Sequence, residues 1–459
     1  MLQDFRLIEI DWPKFNTATA PIPVPGSLHA GRIVALRNLL ESQNFTHAVV
    51  YADREHFANL HFLTHFDPRF EEALLLLSTA DKPLMLVGNE CKGYLPISPL
   101  WKDGELRHEV YQPFSLPGQP RNSSRLLEEI FRSEGIGTGS RIAVIGSKCY
   151  ERTHQSDVPA YLIDALRGLA GFDAVENTTG WLIHPENGLR TISSGYDIAV
   201  FEQNNVKASE AMRRMHFALR TGITDHELMA ETVQYDGTPL SCHMTCKTGP
   251  KRISLASPSG NRIEMGHTWS ANVAYWGSNI CRANWIARDE RDLPPGAKDY
   301  LGAFVGPYFL AMAEWLEALD LGVSCGPIHD RILERLPFDT FHIELNPGHH
   351  ISYDEWPGSS FYPGSEIPLR SGMVLQSDVI PSHPVYFSTR MEDGYALADQ
   401  TLRAELAAQY PQAWARIQER RTFLGSTLGI QLKDCVLPLS NMAGIIAPYG
   451  LMPQKIFAR

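Results

Sequence analysis

The chain has 459 residues, more than one hydrophobic core usually serves, so two domains are expected. Its 44 % hydrophobic and 20 % charged composition is that of a globular protein, and a net charge of -11 with no Lys/Arg-rich block argues against a nucleic-acid partner. No run approaches the roughly 18 apolar residues of a membrane span, and the acidic start around Asp4 does not read as a secretory leader, so a cytoplasmic protein with no membrane partner is expected.

The first half alternates helix and strand. Residues Ser27 to Ser42 place Ile33, Leu36, Leu39 and Leu40 on one helical face. Thr46–Tyr51, Ala73–Leu77, Leu84–Val87 and Arg141–Ile145 are short apolar runs bounded by Asp, Gly or Pro, as buried strands are. Helical patterns follow at Ser123 to Ser133 and Val158 to Leu169. The expected result is an α/β layer domain over residues 1–185.

A turn-rich stretch from Ile183 to Gly195 marks the boundary, and a second domain is expected over residues 190–459. It opens on a long helical pattern, Tyr196 to Arg220, followed by Thr224 with Glu227 three residues on, the signature of a capping box. Arg252 to Arg288 reads as β hairpins. Helices are expected at Pro295 to Leu319 and Pro327 to Leu336, strands between Phe341 and Leu397, and a helix from Leu402 to Arg421 kinked by Pro411.

Seven scattered cysteines read as reduced thiols. In Cys242-His-Met-Thr-Cys246 the spacing fits no common zinc ribbon, and on a strand both cysteines share one face, which reads as packing.

Near the C-terminus stand Asn346-Pro-Gly-His-His-Ile-Ser-Tyr-Asp-Glu-Trp-Pro357, Gly372-Met-Val-Leu-Gln-Ser-Asp378 and Arg390-Met-Glu-Asp-Gly394. These resemble the last metal-ligand strands of the creatinase/Xaa-Pro aminopeptidase/methionine aminopeptidase superfamily, the pita-bread proteins. In the N-terminal half, Asn59-Leu-His-Phe-Leu-Thr-His-Phe66 resembles a segment of creatinase- and prolidase-type N-terminal domains. The resemblance implies a mixed α/β (α+β) fold, a creatinase-like N-terminal domain followed by a pita-bread domain, and a homodimer.

In that family two Asp, a His and two Glu hold two metals, because two divalent ions a few ångströms apart need a dense anionic ligand set. Here His349 matches the histidine, Asp378 the first Glu and Glu392 the second. Asn279 stands at the second Asp, and the first falls on Asn272 or, without a gap, on Thr268. An asparagine offers a carbonyl oxygen without charge. Two metals on two carboxylates and a histidine would leave a large unbalanced charge, so a two-metal site is not expected. One divalent metal, Zn or Mn, on His349, Asp378 and Glu392 is the alternative.

Creatinase sets a precedent for metal-independent chemistry, with a Ser-Leu-Asn triplet that Ser270-Ala-Asn272 resembles. The chain departs from creatinase too. Leu255 to Arg262 puts Ala256 where its catalytic histidine belongs, and Trp356 stands at a second family histidine. The resemblance therefore implies a hydrolase of C–N bonds, working without cofactor on a small polar, amidino or amino-acid-like substrate. His349 would be the acid/base, with Glu392 and Asp378 orienting substrate and water. Substrate contacts are expected from His350, Asp354, Glu355, Trp356, Asn272, Asn279 and Arg390. Arg69 joins them as the match to an arginine that reaches a neighbouring subunit's site and holds a carboxylate by its fork. His349 and His350 are adjacent on a strand, so only one of them enters a pocket. The rival from another class is a non-catalytic binding module.

Overall fold

The computed structural model describes residues 4–18, 20–119, 121, 124–250 and 256–459. Three expectations touch residues outside that set: the helix start at Ser123, the hairpin start at Arg252 and Leu255 of the creatinase-like run. The chain divides into two compact units, 23–191 and 1–22 with 192–459. Residues 4–18 and 20–22, assigned by sequence to the N-terminal domain, thus fold with the C-terminal unit and include β1 (Arg6–Glu9); the chain leaves that unit after residue 22 and returns at residue 192.

The unit 23–191 holds β2 (His47–Ala52), β3 (Ala73–Ser78), β4 (Leu84–Val87), β5 (Arg107–Val110), β6 (Ile142–Ile145) and β7 (Val175–Asn177). Among the described residues they form one sheet in the order β5-β4-β3-β2-β6-β7. β2–β3 and β3–β4 are antiparallel, while β2–β6, β4–β5 and β6–β7 are parallel. The central strands are buried throughout, which is why they read as unbroken apolar runs. Helix Ala160–Ala170 turns Leu162, Ile163 and Leu166 inward. The segment from Asn59 opens a short helix, Ala58–Thr64.

In the other unit, helix Gly195–Ala218 starts on a capping box in which Ser194 and Asp197 bond reciprocally. The expected box at Thr224 and Glu227 caps helix Asp225–Thr232. The strands follow as β8 (Thr245–Gly249), β9 (Thr268–Tyr275), β10 (Ser278–Trp285), β11 (His349–His350), β12 (Val374–Gln376), β13 (Arg390–Glu392), β14 (Gly394–Leu397), β15 (Val436–Pro438) and β16 (Lys455–Ala458). Two antiparallel sheets have the orders β13-β10-β9-β8 and β11-β12-β14-β15, and β1 pairs with β16. The long helix packs on β9 and β10. Cys246 lies on β8, but Cys242 precedes it, so the two share no strand face.

The predicted helix from Pro295 is broken into a 3-10 turn, a π-helical turn at Leu301–Val305 and an α-helix at Gly306–Ala318. Pro411 ends one helix, Gln400–Gln409, and takes the first position of the next, Pro411–Phe423. There its missing N–H costs nothing, so the chain makes two helices where the sequence suggested a kink. Among the described residues no helix is long and apolar enough to cross a membrane.

Buried charge ties these layers. Glu202, on the long helix, accepts from Arg416 Nε at 2.8 Å and lies 2.7 Å from Arg420 Nη2, and all three side chains are almost wholly buried. Arg282 on β10 reaches Asp393 at 2.8 Å with both side chains out of solvent.

Candidate active site

Two sheet ends and one loop of the C-terminal unit converge. The β9–β10 hairpin turns through Trp276-Gly277, and register pairs Tyr275 with Ser278. Gly277 has φ +70, and a Cβ there would fall 2.0 Å from the Phe201 ring, so only glycine closes this turn against the helix. The hairpin carries Asn272 and Asn279. β13 lies beside β10, pairing Glu392 with Cys281. In the second sheet His349 pairs with Gln376, and Asp378 lies just past the end of β12.

His349 is fixed from behind. Its Nδ1 lies 2.8 Å from the carbonyl oxygen of His350. A carbonyl only accepts, so Nδ1 donates to it and Nε2 is the nitrogen that faces the cluster. Nε2 is buried without a hydrogen-bond partner, 3.7 Å from Asp378 Oδ2 and 3.8 Å from Glu355 Oε1. His350 points to the other face, as strand alternation requires: its Nε2 meets the Ser360 hydroxyl at 2.7 Å. Burial, then His349 and Arg370, lower its pKa to about 3.

Glu355 arrives from the loop after β11. The His350 N–H donates to the Gly358 carbonyl at 2.8 Å, folding residues 351–358 back over the strand. Glu355 Oε1 accepts from Asn279 Nδ2 at 2.7 Å, and Oε2 accepts from the Cys242 thiol at 3.3 Å. The same Asn279 nitrogen donates to Glu392 Oε1 at 3.0 Å. Asn279 Oδ1 faces the other way and accepts from Asn272 Nδ2 at 3.1 Å, while Asn272 Oδ1 accepts from the Thr245 hydroxyl. With carboxylates on one side and an amide donor on the other, this amide orientation satisfies every partner and the flipped one does not.

Three carboxylates thus share one buried site. Burial, reinforced by Asp378 and Glu355, pushes the Glu392 carboxyl well above the usual carboxylate range. Asp378 is raised by burial and by Glu355, against the opposing pull of His349 and Arg390. Burial and the same two glutamates push the Cys242 thiol up, so it is a hydrogen-bond donor here and no thiolate. Such a cluster stays charged only if a cation joins it.

The residues fit one metal ion. His349, Glu355 and Glu392 each present a ligand atom within 4.8 Å of the others, and a ligating histidine is commonly anchored by a carbonyl on its other nitrogen. They do not fit two: Asn279 turns its N–H groups toward the carboxylates, and Asn272 is consumed by Thr245 and Asn279.

Beside the cluster opens a cavity of about 280 Å³ lined by Leu345, Asn346, His349, Trp356, Ser359 and Asp378. Trp356 is 63 % exposed and stands edge-on to His349, ring centroids 6.3 Å apart, as one wall. The other expected residues are placed as follows. Arg390 is buried, its Nη1 3.5 Å from Cys281 Sγ, and Glu392 and Asp378 help hold its charge. Asp354 is half-buried in the loop beside Glu355. Arg69 lies in the other unit, its Nη2 donating to the Tyr94 hydroxyl at 2.9 Å and its Nε 3.5 Å from Asp67. Sequence reasoning read Cys242 as a packing residue and gave no role to the Leu345, Asn346 and Ser359 walls; the hydrogen bond from Cys242 to Glu355, 113 residues on, leaves no signal in local spacing.

Solved structures of similar fold cover most of the chain. The dipeptidase PepE from Mycobacterium ulcerans is 16 % identical, spans 82 % of this chain and 94 % of its own, and superposes with a TM-score of 0.61. The prolidase from Pyrococcus horikoshii OT3 (14 % identity, 80 % and 95 % covered, TM-score 0.61) and the X-Pro aminopeptidase from Thermotoga maritima MSB8 (15 %, 80 % and 95 %, 0.60) are similar in the same way. No protein-family profile and no curated protein sequence matches the chain. At these identities the likeness establishes the fold alone, the mixed α/β architecture that these structures share.

Proposed function

We propose that this pita-bread protein is a hydrolase of a C–N bond in a small polar substrate carrying an amidino, ammonium or amino-acid-like group. The observation that supports it most is His349 Nε2: buried, without a hydrogen-bond partner and facing Asp378, with which it lines the cavity. Water adding to the substrate carbon gives its proton to Nε2, and Nε2 returns it to the departing nitrogen. Asp378, close to the protonated ring, steadies the imidazolium between those transfers. The cavity is near the small end of ligand sites, which suits a substrate of few atoms and leaves little room for a long peptide.

The two-metal chemistry of the fold family has no place in this reading, since Asn272 and Asn279 do not fit it. A metal-independent mechanism is the limiting case, in which the substrate's own cation sits among Glu355, Asp378 and Glu392. A homodimer without nucleic-acid or membrane partners belongs to the same proposal. The test is hydrolysis of guanidino acids, amidino acids and dipeptides, followed by release of amine. Turnover by the wild type should fall at least 100-fold in His349→Gln with little change in KM, the scale general acid–base catalysis contributes. A His349→Gln protein as fast as the wild type would remove the proton carrier and the reading with it.

A further inference from the structure

We infer that the loop after β11 supplies a metal ligand: Glu355, with His349 and Glu392, holds one divalent cation at the place where the two asparagines have removed negative charge. This is the metal-loaded counterpart of the metal-independent mechanism at the same site: a cation on Nε2 takes the lone pair that would otherwise carry the proton, so the inference rests on the hydrolase reading only for location. The acids alone would not carry the inference. The independent observation is His349, whose side chain is 8 % exposed and whose Nε2 points without a hydrogen-bond partner between Glu355 and Asp378. Its other nitrogen is tied to a backbone carbonyl, which leaves Nε2 as a pre-oriented lone pair.

Glu355 is held in the same manner. Asn279 and Cys242 each donate to one of its oxygens, fixing the carboxylate over β10 while removing none of its charge. Asn279 also holds Glu392, so one amide spaces the two glutamates around a common point. An asparagine that has lost its own claim to the metal positions two carboxylates. The sequence pointed to Asp378 as the third ligand; the geometry gives that place to Glu355, whose oxygen joins the set within 4.8 Å. One imidazole with carboxylates suits Zn²⁺ or Mn²⁺ and disfavours Mg²⁺, which prefers oxygen ligands and water.

The full chain, stripped with EDTA and dialysed, would be titrated with ZnCl₂, MnCl₂ and MgCl₂ by calorimetry, with bound metal counted by elemental analysis. One equivalent of Zn²⁺ or Mn²⁺ is expected. Glu355→Gln should weaken binding at least 100-fold, and so should His349→Gln, whereas Glu344→Gln, an exposed acid before β11, should leave it unchanged. Thermal melting separates a ligand from a structural residue. Metal-free Glu355→Gln should melt no lower than the metal-free wild type, since one repelling charge has gone, yet it should lose the rise in melting temperature on adding metal. Wild-type protein that binds neither ion, Glu355→Gln that binds as tightly as the wild type, or Glu355→Gln that melts lower without metal would each overturn the inference. No bound metal with turnover intact overturns the cation and leaves the hydrolase; one equivalent with no turnover on any substrate does the reverse.

Discussion

Replacing Asn279 by aspartate puts a carboxylate where the sequence resemblance leads one to expect it, and in this pocket it should be harmful without metal. Asn279 Nδ2 is 2.7 Å from Glu355 Oε1 and 3.0 Å from Glu392 Oε1. Glu392 is pushed toward its protonated form, so the new acid chiefly faces Glu355. At 2.7 Å and an effective dielectric near 20, one pair of like charges repels by about 6 kcal/mol, which is roughly 4.5 pKa units. The variant escapes most of this by binding a proton, so its folded-state pKa rises from about 3.9 to about 8. A carboxyl raised in the folded state binds more protons folded than unfolded. Its penalty is therefore absent below the unfolded pKa and grows as pH rises. At about 1.36 kcal/mol per unit, Asn279→Asp should cost roughly 1.5 kcal/mol at pH 5 and about 4 kcal/mol at pH 7. Urea unfolding of EDTA-treated wild type and variant at both pH values measures the difference. A penalty equal at pH 5 and pH 7, or below about 1 kcal/mol at pH 7, would show that these carboxylates do not repel a third charge and would refute the electrostatic account of the site.

Two further outcomes test the surroundings of the site. His216 is buried beside Trp12 and Trp269 with neither ring nitrogen hydrogen-bonded, and burial, aided by Arg282, lowers its pKa to about 3. The unfolded state therefore binds a proton that the folded state refuses, stability falls as pH drops below about 6.5, and His216→Phe should abolish a loss of about 2 kcal/mol between pH 7 and pH 5. Parallel acid-unfolding curves for the two proteins would contradict this. Glu202→Gln leaves Arg416 and Arg420 buried without their carboxylate and should cost about 3–5 kcal/mol, read as a lowered urea midpoint; a change below 1 kcal/mol would mean that water reaches these guanidinium groups.

Much of this was legible in the sequence where local physics decides. The Thr224–Glu227 box and the apolar runs of β2, β3, β4 and β6 each follow from a few adjacent residues. The three C-terminal motifs brought His349, Asp378 and Glu392 to one place because each sits on or just beyond a strand whose partners fix its position. Glu355 was legible only as a loop acid. What makes it a member of the cluster is a backbone bond from His350 to Gly358 and an amide 76 residues upstream, and no periodicity records either. The charge argument made from sequence was sound in form, but it counted one carboxylate too few. Strands β1, β5, β7, β15 and β16 were missed for another reason. They are short and sit at sheet margins, where apolar patterning is weak.

The pairing of Arg6 with Ala458, through to Glu9 with Lys455, has a consequence for how this protein is made and cut. The unit of residues 23–191 is threaded into the chain of the other as an insert, so the outer unit is closed by its two most distant segments. During synthesis β1 waits for nearly the whole polypeptide before β16, its strand partner, emerges, a closure of very high contact order. A fragment beginning near residue 190 would carry every residue of the carboxylate cluster and still leave β16 as a bare edge, ready to pair with a stray strand. Dissecting the site thus favours removing the insert and rejoining residues 22 and 192, so that the two ends still meet.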